Sequence, residues 1–542
     1  MTGAKFSPHY SPDGKYLAFA IDLDGSESYH IGLLDLETNM AEDLTPHIAY
    51  AHQPNIAWAP DGKALAVLSD AKGQFALFLL PIDGAPPRLL WNVFHPCWDV
   101  VWSPDGQWIA LESESIASDR SIHVIPVNRS RKGVRVKTIQ LKINERVLNA
   151  QQPAWSPDSK FLAFSAELAE WHDIGLFNVD SQDITWASES VGDDTSPWWS
   201  SDGSRLGWVH AEGAATRIEV CTEPCRSVPE RSGEIRAYQA GLGVHHQPQF
   251  TKNGKSLVFI FESPSQPPDL WNLNLDDGSF EQMTFSMPDD LKGEEFIHPE
   301  EIRYPGSDGV MIPALLYRAK DSERAVVNIH GGPNWNFQFM WHPGMSYMAS
   351  RGWTVLAPNY RGSTGYGKAW QNASRFDMGG VDTRDCAAGV KYLIENRLAD
   401  ERKIAVTGRS HGGYLTMTCM TMFSELWAGG SAIVPFLNWF ESHKTSREDL
   451  QHWNIENMGD PDEYYELWYA RSPYFFLENI NAPVQLICGA NDPRCPASES
   501  ISARDKLVEL GREVDLVLYE DEGHAFLDIK NVIDSELRRI EF

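Results

Sequence analysis

Two hydrophobic patterns divide the chain. In the first half, short segments that alternate apolar and polar residues recur behind a turn signal of the type Ser-Pro-Asp-Gly. The signal begins at Ser11, Ala59, Ser103 and Ser156, and weaker copies begin at Ser200 and Thr251. Proline presets φ, aspartate bonds to its own backbone and glycine accepts positive φ. Each copy therefore predicts a tight turn between two short strands.

The turn signal returns about every 45 residues, and a second pair of strands follows it, as in residues 31–36 and 270–275. Four short strands per repeat are typical of a β-propeller blade, and a solenoid is the alternative. We predict an all-β propeller over residues 1–285 with six to seven blades. The tryptophans that precede the turns are expected to wedge between blades: Trp58, Trp102, Trp155 and Trp199.

The second pattern begins at Glu301. Residues 286–300 are polar and acidic and are predicted to cross between two domains. Beyond them, continuous apolar runs at 326–329, 354–357, 404–406 and 484–487 alternate with segments that suit helices. Buried strands between helices indicate a mostly parallel, doubly wound α/β sheet, so residues 301–542 are predicted to form a second domain.

Within this domain, residues 403–414 contain a Gly-x-Ser-x-Gly sequence centred on Ser410. An apolar run precedes it and a helix-compatible segment follows it. This is the pattern of a nucleophile elbow, a tight strand-to-helix turn that exposes the serine hydroxyl. Gly408 and Gly412 fit the turn because a Cβ at either position would crowd it. The motif predicts an α/β-hydrolase domain with Ser410 as nucleophile.

A serine nucleophile needs a base and an acid, which in α/β hydrolases follow it in the order acid, then histidine. His524 lies in a loop behind a predicted strand, where open α/β sheets place their active sites. His443 and His452 lie in a polar, helix-like region without such a strand. Asp492 follows a buried strand and is the predicted acid. Asp521 is the competitor, although it is only three residues from His524.

The developing oxyanion requires hydrogen-bond donors. The backbone N–H of His411, directly after the nucleophile, is one predicted donor. The second is expected from residues 330–333, a glycine-containing loop behind the strand at 325–329. A plain tight turn is the alternative interpretation of that loop.

Composition and charge exclude several classes of function. The net charge of −29 over 542 residues argues against binding to nucleic acid or an anionic membrane. We expect no secretory leader from residues 1–14, and no apolar run reaches the roughly 20 residues that a membrane span needs. Seven scattered cysteines suit a reducing compartment, so we predict a cytoplasmic protein. We predict no metal ion and no cofactor, and the sequence leaves open whether a homo-oligomer forms.

The second domain resembles the prolyl oligopeptidase family of serine peptidases, most closely its acylaminoacyl-peptidase branch. The matching motifs are residues 330–333, 359–367, 379–382 with Asp385, 408–414, 491–494 and 523–524. A propeller ahead of the hydrolase domain is also this family's architecture. The resemblance implies hydrolysis of short peptides or acyl-peptides in a cavity between the domains, with the propeller limiting the size of the substrate.

The same resemblance assigns further residues. It implies that the Gly332 N–H is the second oxyanion donor and that Arg494 contacts the substrate. Phe436 and Trp439 are expected to line the pocket for the residue before the scissile bond. Two features depart from the family pattern. Cys495 stands where valine is expected, and the propeller begins almost at Met1, so a six-bladed or differently closed ring is an alternative.

Three functions are consistent with these sequence features. The first is a serine oligopeptidase. The second is an esterase, a lactonase or a small-molecule amide hydrolase that uses the same three residues, because fold does not decide substrate. The third is a catalytically silent scaffold in which the propeller binds a protein, which the intact order of Ser410, Asp492 and His524 disfavours.

Overall fold

The computed structural model describes residues 3–46, 50–92, 94–116, 119–128, 130–131, 134–135, 137–223, 234–320 and 323–542. They form a β-propeller followed by an α/β-hydrolase domain, so both predicted folds are confirmed. Six four-stranded antiparallel sheets form the blades of the propeller. No helix in the described residues combines the length and the apolar character needed to cross a membrane.

Each blade is built from strands that follow one another in the chain. Blade one contains β1 (Ala4–Tyr10), β2 (Tyr16–Asp22), β3 (His30–Asp35) and β4 (Met40–Asp43), and blade two contains β5 (His52–Trp58), β6 (Ala64–Ser69), β7 (Ala76–Pro81) and β8 (Arg88–Trp91). Blade three contains β9 (Cys97–Trp102), β10 (Trp108–Ile116), β11 (Asp119–Pro126) and β14 (Ile139–Gln140). Two short hairpins accompany it, β12 (Ser130–Arg131) with β13 (Val134–Arg135) and β15 (Lys142–Ile143) with β16 (Arg146–Val147).

The other three blades also contain four strands each. Blade four contains β17 (Ala150–Trp155), β18 (Phe161–Glu167), β19 (His172–Asn178) and β20 (Ile184–Trp186), and blade five contains β21 (Asp193–Trp199), β22 (Arg205–Glu212), β23 (Ala215–Thr222) and β24 (Ile235–Tyr238). Blade six contains β25 (Val244–Phe250), β26 (Ser256–Ser263), β27 (Gln266–Asn274) and β28 (Phe280–Gln282). No blade in the described residues combines strands from the two ends of the propeller.

The predicted turns join the first two strands of each blade. In blade three, the Ser103 hydroxyl donates to Asp105 Oδ1 at 2.7 Å, and Gly106 takes a φ of 71°. The tryptophans ahead of the turns link neighbouring blades through their indole N–H groups. The indoles donate to main-chain carbonyls of the preceding blade, Trp58 to His9, Trp155 to Val101 and Trp199 to Ala154. These three tryptophans therefore link neighbouring blades by a hydrogen bond as well as by packing. The indole N–H of Trp102 has no acceptor among the described residues.

The hydrolase domain is built on an eight-stranded sheet with the order β29-β30-β32-β31-β33-β34-β35-β36. Its strands are β29 (Glu300–Pro305), β30 (Met311–Tyr317), β31 (Arg324–Ile329), β32 (Trp353–Pro358), β33 (Ile404–Arg409), β34 (Gly429–Ile433), β35 (Val484–Gly489) and β36 (Val514–Tyr519). From β32 to β36 the neighbours in this order are parallel, and β29 and β30 are antiparallel additions. The domain limits at 285 and 300 stay predictions.

Nine α-helices are described in the hydrolase domain. They are α1 (Pro343–Ser350), α2 (Lys368–Gln371), α3 (Val381–Glu395), α4 (His411–Met422), α5 (Trp439–Thr445), α6 (Glu448–Met458), α7 (Tyr465–Ala470), α8 (Ala497–Glu509) and α9 (Ile529–Glu541). The parallel strands β31, β34 and β35 are almost completely buried, whereas the edge strand β36 is only partly buried. Helix α4 is buried nearly all round, because it packs on the middle of the sheet.

The propeller contacts the hydrolase domain around its circumference. Gln74 of blade two donates to the Glu448 carbonyl at 2.9 Å, and Asn491 donates to the Asp24 carbonyl of blade one at 2.8 Å. On another side, the Trp341 N–H donates to Glu262 of blade six at 2.8 Å. The loops that follow β31 and β35 are therefore covered by the propeller.

Candidate active site

Ser410 lies between the end of β33 and the start of α4. Its φ of 60° and ψ of −122° are strained for a residue with a side chain. The chain can turn so sharply because Gly408 and Gly412 have no side chain. A Cβ on Gly412 would lie 2.1 Å from the Ile329 carbonyl oxygen, and one on Gly408 would lie 2.4 Å from the Gly412 carbonyl oxygen. The Ser410 N–H is fixed by the Ile433 carbonyl at 2.9 Å. The local geometry is that of a nucleophile elbow.

Three predicted residues meet at this elbow. His524 Nε2 lies 2.9 Å from Ser410 Oγ, and His524 Nδ1 lies 2.8 Å from Asp492 Oδ2. The other carboxylate oxygen of Asp492 accepts the N–H groups of Arg494 at 2.8 Å and Cys495 at 2.9 Å. In the described residues Asp521 makes no bond to His524. This arrangement lets a proton pass from a serine hydroxyl to an imidazole that a buried carboxylate orients.

The loop that carries His524 is held by groups that the sequence did not indicate. Glu522 is buried and its carboxylate accepts the N–H groups of Leu527 at 2.6 Å and Asp528 at 3.0 Å. Arg409 donates to the His524 carbonyl at 2.5 Å, and its guanidinium lies over the Phe526 ring. The burial of Glu522 has no signal in the sequence, because this acid lies in a polar loop without apolar periodicity.

The propeller packs against the same loop. A Cβ on Gly523 would lie 1.8 Å from the carbonyl oxygen of Gly25, which belongs to the loop between β2 and β3 of blade one. Glu27, in that loop, accepts two hydrogen bonds from Arg494 Nε at 2.9 and 2.8 Å. The residue before His524 and the residue two positions beyond Asp492 are thus both in contact with blade one.

The loop after β31 approaches the serine from the other side. A Cβ on Gly331 would lie 3.3 Å from Ser410 Cβ, and Gly332 takes a φ of 125°. His330 is stacked on Tyr360 at 4.3 Å, and Tyr360 donates to the His330 carbonyl at 2.9 Å. Burial lowers the pKa of His330 to about 3, so this ring is neutral and braces the loop without adding charge.

The other predicted oxyanion donor, His411, opens α4. Its ring is buried, and Nε2 lies 3.3 Å from Asp382 Oδ2, so the side chain points away from Ser410. Within the described part of the chain, neither the His411 N–H nor the Gly332 N–H has a hydrogen-bond acceptor. His411 directly follows the serine, and Gly332 follows Gly331, which approaches it; the oxyanion role of the two N–H groups stays a prediction.

The two aromatic residues predicted for the substrate pocket lie behind the elbow. Phe436 stacks on Tyr414 at 4.3 Å, with its centroid 6.3 Å from the His411 ring. Trp439 is 1% exposed, and its indole donates to the Tyr414 hydroxyl at 3.1 Å. In this structure Trp439 packs beneath Phe436 and Tyr414. A pocket-lining role for Phe436 and Trp439 stays a prediction.

Residues 337–542 match the model of the prolyl oligopeptidase family. This part of the hydrolase domain therefore has the character of a serine peptidase of that family, and the resemblance in its motifs is confirmed. Relatives of the family domain include acylamino-acid-releasing enzymes and dipeptidyl peptidases, so similarity alone does not select one branch.

Three similar proteins show how far the likeness extends. An uncharacterized peptidase of Bacillus subtilis, YuxL, is 25% identical and aligns over 95% of this chain and 93% of its own. Acylamino-acid-releasing enzyme 2 of Oryza sativa is 29% identical over 40% of this chain and 30% of its own length. A puromycin-hydrolyzing peptidase of Mycobacterium tuberculosis has the same fold, with a TM-score of 0.85, 20% identity and coverage of 100% of this chain and 86% of its own.

The segment that carries Phe436 and Trp439 depends on one buried acid. Glu499 Oε2 accepts the N–H groups of Leu437 at 2.7 Å and Asn438 at 2.8 Å. Burial raises the pKa of Glu499 from its ordinary value of 4.5 to about 7. Between these pH values the folded chain holds a proton that the unfolded chain has released. The contribution of Glu499 to stability therefore falls as pH rises through this window.

We predict that Glu499→Gln removes this pH dependence while keeping a carbonyl acceptor for the two N–H groups. The difference in Tm between variant and parent should rise by at least about 2 °C from pH 5 to pH 8, measured by scanning calorimetry. Glu509→Gln, which changes an exposed acid on the same helix, is the control and should give a flat difference. A flat difference for Glu499→Gln as well would contradict the prediction.

Proposed function

We propose that the protein cleaves short peptides or acyl-peptides with Ser410 as nucleophile, His524 as general base and acid, and Asp492 as the orienting carboxylate. The observation that carries this proposal is the continuous chain of hydrogen bonds from Ser410 through His524 to Asp492. Its members come from three separate loops, at the carboxyl ends of β33, β35 and β36. Such loops carry the active sites of open α/β sheets.

The reaction follows from the geometry of this chain of bonds. Ser410 Oγ attacks the carbonyl carbon of the substrate while its proton moves to His524 Nε2. The resulting oxyanion is stabilised by the N–H groups of Gly332 and His411. The scissile bond breaks as the leaving nitrogen takes the proton from Nε2, which leaves an acyl-enzyme on Ser410. A water molecule then repeats the sequence, with its proton passing through His524, and releases the acid.

The substrate would bind between the propeller and the hydrolase domain. Support comes from the contact of blade one with both the His524 loop and Arg494, which leaves the catalytic groups at the domain interface. A peptide preference is further supported by family membership. An esterase, lactonase or small-molecule amide hydrolase would use the same acyl-enzyme. Comparing kcat/KM for acetyl-amino-acid anilides, aminoacyl-prolyl anilides and short acyl esters distinguishes these functions, and faster turnover of all esters than of all peptide substrates would favour the alternative.

We predict that Ser410→Ala abolishes turnover, and that His524→Ala and Asp492→Asn each reduce kcat by at least about a thousandfold. Because the three groups act as one unit, double variants should be little worse than the worst single variant. Circular dichroism should show an unchanged fold. Asp521→Asn is the matched control and should keep turnover near that of the parent. If Asp492→Asn stays active while Asp521→Asn is impaired, the acid has been assigned to the wrong residue.

Arg494 has a second proposed role, as a substrate contact. The hydrogen bonds that its guanidinium makes to described residues both come from Nε and reach Glu27, and the side chain is 49% exposed. Among the described residues the two Nη groups therefore have no hydrogen-bond partner. Because a guanidinium keeps its charge and offers forked donors, they suit a peptide carbonyl or a free carboxylate.

We predict that Arg494→Met lowers kcat/KM by at least about tenfold with little change in Tm, because a charged hydrogen bond to the substrate is lost. Glu27→Gln is the matched control, since it weakens the bridge between the domains but leaves the guanidinium in place. We expect it to lower kcat/KM by less than about threefold. Equal losses in both variants, or a lower Tm with unchanged kcat/KM, would mean that Arg494 holds the domains together and does not bind substrate.

A further inference from the structure

Cys495 is a buried thiol beside the catalytic groups, and the proposed reaction does not use it. It follows Asp492 by three residues, and its N–H donates to the Asp492 carboxylate at 2.9 Å. One ligand atom from each of Asp492, Cys495 and His524 lies within 4.8 Å of the other two. A carboxylate oxygen, a thiol sulfur and an imidazole nitrogen therefore converge on one small volume behind the catalytic histidine.

This set of atoms matches the ligands that zinc prefers. Zn²⁺ binds thiolate sulfur at about 2.3 Å and imidazole nitrogen or carboxylate oxygen at about 2.0–2.2 Å, often with three protein ligands and one open position. Ligand atoms at such bond lengths lie within about 4 Å of one another in a tetrahedral site. We propose that Asp492, Cys495 and His524 form an inhibitory site for a thiophilic divalent cation, Zn²⁺ or Cd²⁺.

Binding would convert the catalytic histidine to the wrong tautomer. In the resting site Nδ1 faces Asp492 and Nε2 faces Ser410, so the neutral ring that serves as base carries its proton on Nδ1. A cation that takes the Nδ1 lone pair moves that proton to Nε2. Cys495 loses its thiol proton to solvent, so one proton leaves for each cation bound. Nε2 then has no lone pair for the Ser410 proton, and acylation stops.

The surroundings affect how readily the cation enters. The thiol is close enough to Asp492 and Glu499 to feel their negative charge, and to Arg494 and Arg409 to feel their positive charge. Burial has the larger effect and raises the pKa of the Cys495 thiol well above its usual range, so the cation must displace the thiol proton. Cys495 is 4% exposed and the Asp492 side chain is buried, so the loop must move before all three ligands can bind. We therefore expect inhibition to develop slowly after mixing.

Activity measurements with a matched variant test this site. Parent and Cys495→Val are preincubated with ZnCl₂, CdCl₂ or MgCl₂ and assayed with a peptide anilide. Zn²⁺ and Cd²⁺ should inhibit the parent in a time-dependent manner, and Mg²⁺, which prefers oxygen ligands, should not. Cys495→Val restores the family residue, so its uninhibited kcat/KM should be within about threefold of the parent and its inhibition should need at least about tenfold more cation. Equal inhibition of both proteins would overturn the proposal.

The inhibitory consequence depends on the proposed catalytic role of His524, but cation binding does not. Isothermal calorimetry with CdCl₂ on Ser410→Ala, and on Ser410→Ala combined with Cys495→Ser, measures binding without turnover. One Cd²⁺ per chain that is lost in the double variant, together with a thiolate-to-cadmium absorption band, is the expected result. Binding without inhibition of the parent would remove the base role of His524, whereas the absence of Cys495-dependent binding would remove the site itself.

Discussion

The strained backbone at Ser410 is the constraint on which the rest of the site depends. A residue with a side chain avoids a φ of 60° combined with a ψ of −122°, at a cost of about 1–3 kcal/mol. The surrounding chain enforces this conformation. The Gly412 backbone lies against the Ile329 carbonyl, and β33 and α4 are both buried in the centre of the domain. The strain lifts the hydroxyl out of the sheet and towards His524.

The second requirement is that three loops, distant in sequence, meet at one edge of the sheet. Parallel pairing of β33, β34, β35 and β36 brings their carboxyl ends to the same edge. Local groups then fix each loop: Glu522 and Arg409 for His524, two backbone N–H groups for Asp492, and Tyr360 for the loop of Gly332. Blade one adds a contact at Gly523 that the hydrolase domain lacks by itself. The propeller thus packs directly against the residue before the proposed base, His524.

Much of this arrangement is predictable from sequence because its signals are local. Turn residues repeated at blade spacing predict the propeller, and a glycine-flanked serine between a strand and a helix predicts the elbow. His524 and Asp492 are identified because each follows an apolar strand. The partners of these loops are not predictable in this way. Glu27 and Gly25 contact the hydrolase domain across several hundred residues, and nothing in their neighbourhood distinguishes them from other acids and turn glycines. Glu522 bonds to residues just after it in the chain, but its sequence does not distinguish it from the exposed acids beside it.

The sequence also does not distinguish a residue that lines a pocket from one that packs in the core. Phe436 and Trp439 have the apolar character of a pocket wall and equally that of a core, and only the packing against Tyr414 separates the two. The tertiary contacts place Trp439 in the core. Whether Phe436 lines a substrate pocket depends on where the substrate binds, which the sequence does not specify. The same holds for Arg494, whose charge suits either a carboxylate of the substrate or Glu27 of the propeller.

The central claim is that catalysis proceeds through an ester on Ser410, and trapping that ester tests it most directly. The parent is mixed with an activated acyl ester, quenched in acid within the first turnover and digested for mass spectrometry. A single acyl group on the peptide that contains Ser410, absent in Ser410→Ala and accompanied by a burst of one leaving group per chain, is the predicted result. Steady turnover with an acyl group on a different residue, or with no covalent adduct and no burst while deacylation is slow, would contradict it.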